Sequence, residues 1–143
     1  MTELRITTEP AELDVLLIHR FLSEESAWAR GIPLATVQES IRHSLNFGLF
    51  AGAGQVAYAR VVTDYSTFAY LVDVFVLAEH RGKGYSAELM AAVMAHPGLQ
   101  GLRRFLLATS TAHGLYAKFG FAAPAKPQAL MERFTPDAYA SRG

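Results

Sequence analysis

The chain has no cysteine. That excludes a disulfide scaffold, thiolate metal sites, iron–sulfur clusters and a cysteine nucleophile. It has no surplus of either charge, because 13 basic residues balance 13 acidic ones. A general nucleic-acid binder needs extra Lys and Arg to neutralise phosphates, so nucleic acid is not an expected partner. Charged residues are also scarce, at 18% against the usual ~25%, which excludes disordered, collagen-like and coiled-coil chains. No apolar run approaches the ~18 residues that span a bilayer. The segment Met1-Thr2-Glu3-Leu4-Arg5 lacks the pattern of a secretory signal. The expectation is a cytoplasmic protein with no membrane partner. The histidines stand at 19, 43, 80, 96 and 113. They form no i, i+4 pair and no His-Glu-x-x-His pattern, so no catalytic metal is expected.

What is present suits one domain over residues 1–143. The apolar fraction of 51% can supply a core, and a compact chain of this size should expose roughly 7,200 Å². The charges are segregated. Residues 1–50 carry a net −3, residues 51–80 a net −2 and residues 81–143 a net +5. Such a division suits a protein holding a polyanion on one side and a cation on the other, or it is chance segregation on a solvated surface.

Hydrophobic spacing predicts strands at Leu4–Thr7, Phe47–Ala51, Gln55–Thr63, Thr67–Leu77, Phe105–Ala108 and Leu130–Phe134. It predicts helices at Ala11–Ser23, Ala35–Leu45, Gly84–Ala95 and Ala112–Phe119. Gly52-Ala53-Gly54 turns a hairpin. The order β-α-α-β-β-β-α-β-α-β reads as α+β with a mixed sheet, because hairpins come first and helical crossovers follow.

The most informative stretch is Val72–Met90, VDVFVLAEHRGKGYSAELM. A strand runs into Arg81-Gly82-Lys83-Gly84-Tyr85-Ser86, where a helix starts. Glycines 82 and 84 permit a tight turn and close approach of a ligand to the backbone amides. The unpaired amides and positive dipole end of the helix favour an anion, and Arg81 and Lys83 add charge there. The geometry wants a phosphate, better a pyrophosphate; the plainer reading is a strand-to-helix turn with solvated basic residues. A P-loop is rejected, because Gly82-Lys83 is followed by Gly84 and position 77 is Leu. A dinucleotide fingerprint matches formally as Gly82-x-Gly84-x-x-Ala87. Yet strands precede it, and the next strand, Arg104–Thr109, ends on no acidic residue.

Arg81-x-x-Gly84-x-Ser86 resembles the Gln/Arg-x-x-Gly-x-Gly/Ala signature of the GNAT acyl-CoA N-acyltransferases. Downstream, Ala112-His113-Gly114-Leu115-Tyr116-Ala117-Lys118-Phe119-Gly120-Phe121 is similar to that family's Ala-x-x-Leu-Tyr-x-x-x-Gly-Phe. The two motifs stand in the family's order and separation and cover about residues 70–122. The phrases Asp73–Leu77 and Leu106–Thr109 look like a bacterial branch of small members. Two departures stand out. Ser86 replaces the usual Gly or Ala, and Thr109 stands where the family often has Asn, so its contact to pantetheine or water is lost or replaced.

The resemblance implies the GNAT fold: a mixed central sheet flanked by helices, with splayed strands holding the cofactor. It implies a single N-acetyltransferase domain that transfers an acetyl group from acetyl-CoA to a primary amine of a small molecule, by direct attack in a ternary complex. Acetylation of a protein or peptide, or a non-catalytic acyl-CoA sensor, are the alternatives. In the family the strand before the first motif bulges away from its neighbour, and the thioester and pantetheine pair with the freed edge. Here that edge is Phe75-Val76-Leu77, whose amides would stabilise the oxyanion. The amides of Arg81, Gly82, Lys83, Gly84, Tyr85 and Ser86 would hold the pyrophosphate. Tyr116 is the matched proton donor to the leaving thiolate; alone, it would read as a tyrosine packing a helix on the sheet.

Asp73 sits mid-strand, and by alternation it shares a face with Leu71 and Phe75. It could take the amine's proton through water or hold the ammonium, or it could be a structural carboxylate paired with a basic side chain. His113 is a relay candidate or a surface histidine, and Glu79 and His80 are expected to face water. For the amine, the loop after the first helix offers Glu24, Glu25 and Trp28, and the middle hairpin offers Tyr65, Phe68 and Tyr70. Acidic groups among aromatics suit a cationic amine with an apolar part; Trp28 could equally be a core or lid anchor. A homodimer is left open as the assembly.

Overall fold

The structure is a computed structural model that describes residues 3–140. Five strands form one sheet in the order β1-β2-β3-β4-β5: β1 Leu4–Thr7, β2 Leu45–Ala51, β3 Gly54–Thr63, β4 Phe68–Val76 and β5 Arg104–Leu107. The first three pairings are antiparallel and the last is parallel. β2 and β3 are almost wholly buried. Their apolar runs therefore read as continuous rather than alternating, as expected of strands covered on both faces.

Helices cover both faces of the sheet. α1 (Val15–Arg20) runs into a π-helical turn over Phe21–Glu25, and α2 (Leu34–Arg42) follows. Ile18, Phe21, Leu22, Val37 and Ile41 pack with Tyr58, Phe75 and Leu77 on this face. On the other face, Leu89, Met90 and Val93 of α3 (Tyr85–Ala95) meet Phe47, Leu49, Val61 and Leu71. The short α4 (His113–Ala117) adds Tyr116 to that second core.

Several boundaries differ from expectation for local reasons. The first helix starts at Val15, because Asp14 accepts the Leu17 N–H at 3.1 Å and caps it; Pro10–Glu12 is a separate 3₁₀ turn. The second helix stops at Arg42, so Leu45 opens β2. The expected last strand, Leu130–Phe134, does not form. Residues 122–138 run exposed with no ladder partner among the described residues. The accessible surface is accordingly 9022 Å², well above the roughly 7,200 Å² of a compact chain of this mass.

One irregularity in β4 sets which side chains face which side of the sheet. Tyr58 pairs with Phe75 and Arg60 with Val72, so Asp73 and Val74 together oppose Ala59. Asp73 has φ 56°, in the left-handed region, which Asp tolerates better than most residues. This is a β-bulge, and it inverts the side-chain alternation beyond it. Leu71, Val74 and Val76 lie on the α3 face, whereas Phe75 and Leu77 lie on the α1 face. The expectation that Asp73, Leu71 and Phe75 share one face is therefore corrected: Leu71 and Phe75 point to opposite sides.

Candidate active site

β4 and β5 are paired only from Phe68/Arg104 to Leu71/Leu107. Beyond Leu107 the chain leaves the sheet, while β4 continues to Val76. The two segments part there and enclose a cavity of about 610 Å³. Val72, Asp73 and Val74 form one wall, Thr109, Thr111 and Ala112 the other, and Trp28, Tyr70 and Tyr116 also reach it. Both walls lie at the carboxyl ends of β4 and β5, the one parallel pair in the sheet.

The open edge of β4 can be assigned residue by residue. The Leu77 N–H donates to the Val56 oxygen at 2.9 Å. Backbone groups alternate in direction along a strand, so Phe75 also faces β3, whereas Val74 and Val76 face the opening. Of the three amides expected on the free edge, the Leu77 and Phe75 N–H groups are thus committed to β3 and only Val76 remains, joined by Val74. The Phe75 side chain is also committed, stacked on Phe21 with ring centroids 3.9 Å apart.

The glycine turn lies just past β4. Gly82 and Gly84 have φ of 78° and 82°, and nothing lies within 4 Å of a Cβ built at either. Their bareness serves backbone conformation and outside access, not internal packing. Gly84 is the residue before α3. Among the described residues, no acceptor meets the amides of Gly82, Lys83, Gly84, Tyr85 or Ser86. Five donors at the positive end of an eleven-residue helix fit an anion with several oxygens. The Arg81 amide is not among them, since it donates to the Ala78 oxygen at 3.3 Å. Arg81 Nε donates to the Val76 oxygen at 3.0 Å and ties the turn to the open strand. Tyr85 is buried in the α3 core, with its ring near that of His80. Glu79 is exposed as expected, whereas His80 is half-buried, with its Nδ1 buried and unpartnered among the described residues.

Tyr116 is 8% exposed and borders the cavity. Burial raises its phenol above the ordinary tyrosine range, because the phenolate would lose solvation. The group therefore stays protonated and able to donate. Thr109 Oγ1 accepts the N–H groups of Ala112 at 3.0 Å and Thr111 at 3.4 Å. It fastens the turn that delivers α4, and its hydroxyl hydrogen is still available.

Asp73 is held at both oxygens. Trp28 Nε1 donates to Oδ1 at 2.7 Å, and Arg60 Nε donates to Oδ2 at 2.9 Å. Arg60 also donates to Ser44 Oγ at 3.0 Å. A carboxylate mid-strand is costly unless paired, and Arg60 supplies the pairing. Arg60 is the basic partner that a structural Asp73 requires: it is the lone charge in β3, as Asp73 is in β4, a signal the sequence carries although it does not state that the two pair. The indole of Trp28 is about half exposed yet pinned by its N–H at the cavity mouth. Trp28, Tyr70, Asp73, Thr109 and Tyr116 thus meet at one cavity. Glu25 is exposed and does not line it, and Tyr65 and Phe68 are also outside it. His113 is exposed and lines a different cavity on the outer side of β5.

A parted pair of parallel strands, a glycine turn presenting free amides and a buried tyrosine beside the parting define an acyl-CoA N-acyltransferase architecture. The comparisons agree. The Acetyltransferase (GNAT) family model matches residues 14–121. A candidate acetyltransferase of Gibberella zeae is 33% identical over 135 residues, spanning 79% of this chain and 75% of that protein. The crystal structure of a candidate GNAT acetyltransferase from Xanthomonas campestris pv. campestris is 61% identical, covers 99% of each chain and superposes with a TM-score of 0.95. A candidate acetyltransferase from Clostridium acetobutylicum, crystallised with acetyl-CoA, shares the fold at 14% identity and a TM-score of 0.65, over 94% of this chain and 96% of that one. The chain belongs to the GNAT acetyltransferase family, whose members are acetyl-CoA-dependent acetyltransferases.

Proposed function

We propose that this protein transfers the acetyl group of acetyl-CoA to the primary amine of a small molecule, by direct attack in a ternary complex. The observation that carries the reading is the cavity where β4 and β5 part, with Tyr116 on one side and Trp28 across it. The chain's residues fit the donor. The amides of Gly82 to Ser86 would take the pyrophosphate, the edge of Val74 and Val76 would pair with the pantetheine, and Thr109 has a hydroxyl hydrogen to offer it.

The amine nitrogen, once neutral, attacks the thioester carbonyl carbon. The carbonyl oxygen gains the negative charge, and the strand-edge amides stabilise it. The carbon–sulfur bond then breaks, Tyr116 gives its proton to the sulfur, and the amine's lost proton passes to water. Asp73 acts as a positioning residue. With one oxygen on Arg60 and the other on Trp28, it fixes the bulge and the indole together, and its remaining lone pairs can hold an ammonium at the mouth. Trp28 and Tyr70 give that ammonium aromatic faces, and Glu25 adds longer-range attraction. A cavity partly roofed by a pinned indole supports a small acceptor over an extended peptide.

The test is incubation with acetyl-CoA and separate panels of small amines and lysine peptides while free thiol is followed. Thiol release with small cationic amines is expected. Tight acetyl-CoA binding without release on either panel would overturn the catalytic reading, and release with peptides alone would overturn the substrate class.

A further inference from the structure

The cavity where β4 and β5 part is furnished with charge of one sign. Asp73 is its one carboxylate, and no Lys, Arg or His borders it among the described residues. The guanidinium that touches Asp73, that of Arg60, is already engaged: Nε donates to Asp73 Oδ2 at 2.9 Å and Nη1 to Ser44 Oγ at 3.0 Å. Arg60 does not line the cavity. His113 borders the separate cavity outside β5. The rest of the polar wall comes from Tyr70, Thr109, Ser110 and Thr111, whose hydroxyls can donate a hydrogen bond but bring no positive charge.

This asymmetry discriminates among amines. An ammonium that reaches Asp73 gains an opposite charge. A carboxylate on the amine-bearing carbon, as in an α-amino acid, has to enter the same cavity beside Asp73. There it meets a like charge and finds no cation, in a crevice that salt screens poorly. Neutral hydroxyls do not offset the hydration such a charge gives up. The acid group cannot be moved far from Asp73 either, because the cavity of about 610 Å³ must also hold the acyl end of the donor. The mouth supplies no net positive charge: the loop around Trp28 presents exposed Glu24 and Glu25 against one Arg30. An unpaired charge rejects a rival ligand more strongly than a small misfit does.

We propose, resting on the reading of this cavity as the site of acetyl transfer, that the acceptor is a primary amine with no acid group at its amine-bearing end: a decarboxylated amino acid or a like cation, and not an amino acid. Asp73 sets this choice through its charge, in addition to holding the bulge and the indole in place.

Three acceptor series test it, each an amine, the amino acid with the same side chain and that amino acid's amide. They are phenethylamine, phenylalanine and phenylalaninamide; 3-methylbutylamine, leucine and leucinamide; and ethanolamine, serine and serinamide. The amide matches the acid in size and lacks its charge. Thiol release is followed at saturating acetyl-CoA, and kcat/KM is expressed per unprotonated amine. In every series that is turned over, the amine is expected to exceed the acid by at least ~100-fold, with the amide regaining most of the difference. In Asp73→Asn the amide-to-acid ratio is expected to fall at least ~5-fold, because the like charge is gone. A merely structural defect would slow amide and acid alike and leave that ratio unmoved. Amino acids turned over as well as their amines, or amides as poor as the acids, would overturn the acceptor class while acetyl transfer stood. An unmoved ratio in Asp73→Asn would overturn the role given to Asp73. No thiol release with any acceptor would instead overturn acetyl transfer itself.

Discussion

β4 behaves as two strands in one. From Phe68 to Leu71 it is bonded on both sides, by β3 and by β5. From Val72 to Val76 only β3 holds it. The halves do not differ in apolar character; what separates them is one residue at positive φ. Asp73 makes two residues oppose Ala59, reverses which side chains face α3 and coincides with the parting of β5. A closed sheet and an open crevice can thus be neighbouring stretches of one strand. The polar pairing that holds the bulge, Arg60–Asp73–Trp28, also fixes the aromatic mouth of the cavity.

The sharpest way to break the open half is to deny it its ligand. Gly84→Glu places a carboxylate where five free amides converge. It also forces a side chain onto φ 82°, which costs about 1–2 kcal/mol, while the space around a Cβ there is open. The fold should survive. Acetyl-CoA affinity measured by calorimetry should fall at least ~100-fold, or about 2.7 kcal/mol at the minimum. Unchanged affinity in the folded variant would remove the phosphate site from this turn.

Breaking the bulge itself should cost stability. Asp73→Ala strands the Arg60 guanidinium, whose side chain is 17% exposed, and frees the Trp28 indole. Truncating one member of a buried pair costs about 3 kcal/mol or somewhat less here, given the residual exposure. Asp73→Asn tolerates the same backbone and keeps an acceptor for Trp28, so it should lose less, as read from urea midpoints. It should also retain most of its kcat if Asp73 positions rather than abstracts; a stable Asp73→Asn with turnover reduced a hundredfold would make it the base.

Tyr116→Phe tests the donor without disturbing packing. Turnover should drop by about 10²-fold, some 2.7 kcal/mol, with the KM for acetyl-CoA little changed. Because burial raises the phenol's pKa, the wild-type rate should climb with pH as the amine is deprotonated. It should hold at pH values where an ordinary tyrosine ionises. An unchanged rate in the variant across that range would assign the proton to water.

The comparison also marks what the amino-acid order can carry. Strands, the β2–β3 hairpin and the turn before α3 were readable, because each rests on local features: apolar runs bounded by glycine, or glycines at an amide-rich helix start. The bulge entered only through resemblance. Alternation assumes an unbroken ladder, so it placed Leu71 and Phe75 on one face; the Leu77 amide was counted as free through the resemblance, which carries no register. A basic partner for Asp73 was legible as an alternative, but that it is Arg60 depends on register between strands, which local pattern does not give. Leu130–Phe134 read as a strand because its residues suit one, but a strand also needs an edge to pair with, and local pattern does not supply that.

The mildest perturbation asks whether the mouth of the open half needs its tether. Trp28→Phe keeps an aromatic face and removes only the indole N–H that donates to Asp73. Asp73 retains Arg60, so the bulge should stand, and with the indole about half exposed stability should fall by about 1.5 kcal/mol, the low end for a hydrogen bond to a charged group. The unpinned ring no longer holds one orientation over the cavity, so the KM for the amine should rise several-fold, or about 1 kcal/mol, with affinity for acetyl-CoA unchanged. Trp28→Ala should raise it further by removing the face as well. Equal KM values for both variants and the parent would show that the indole only covers the loop and that recognition of the amine lies deeper, between Tyr70 and Asp73.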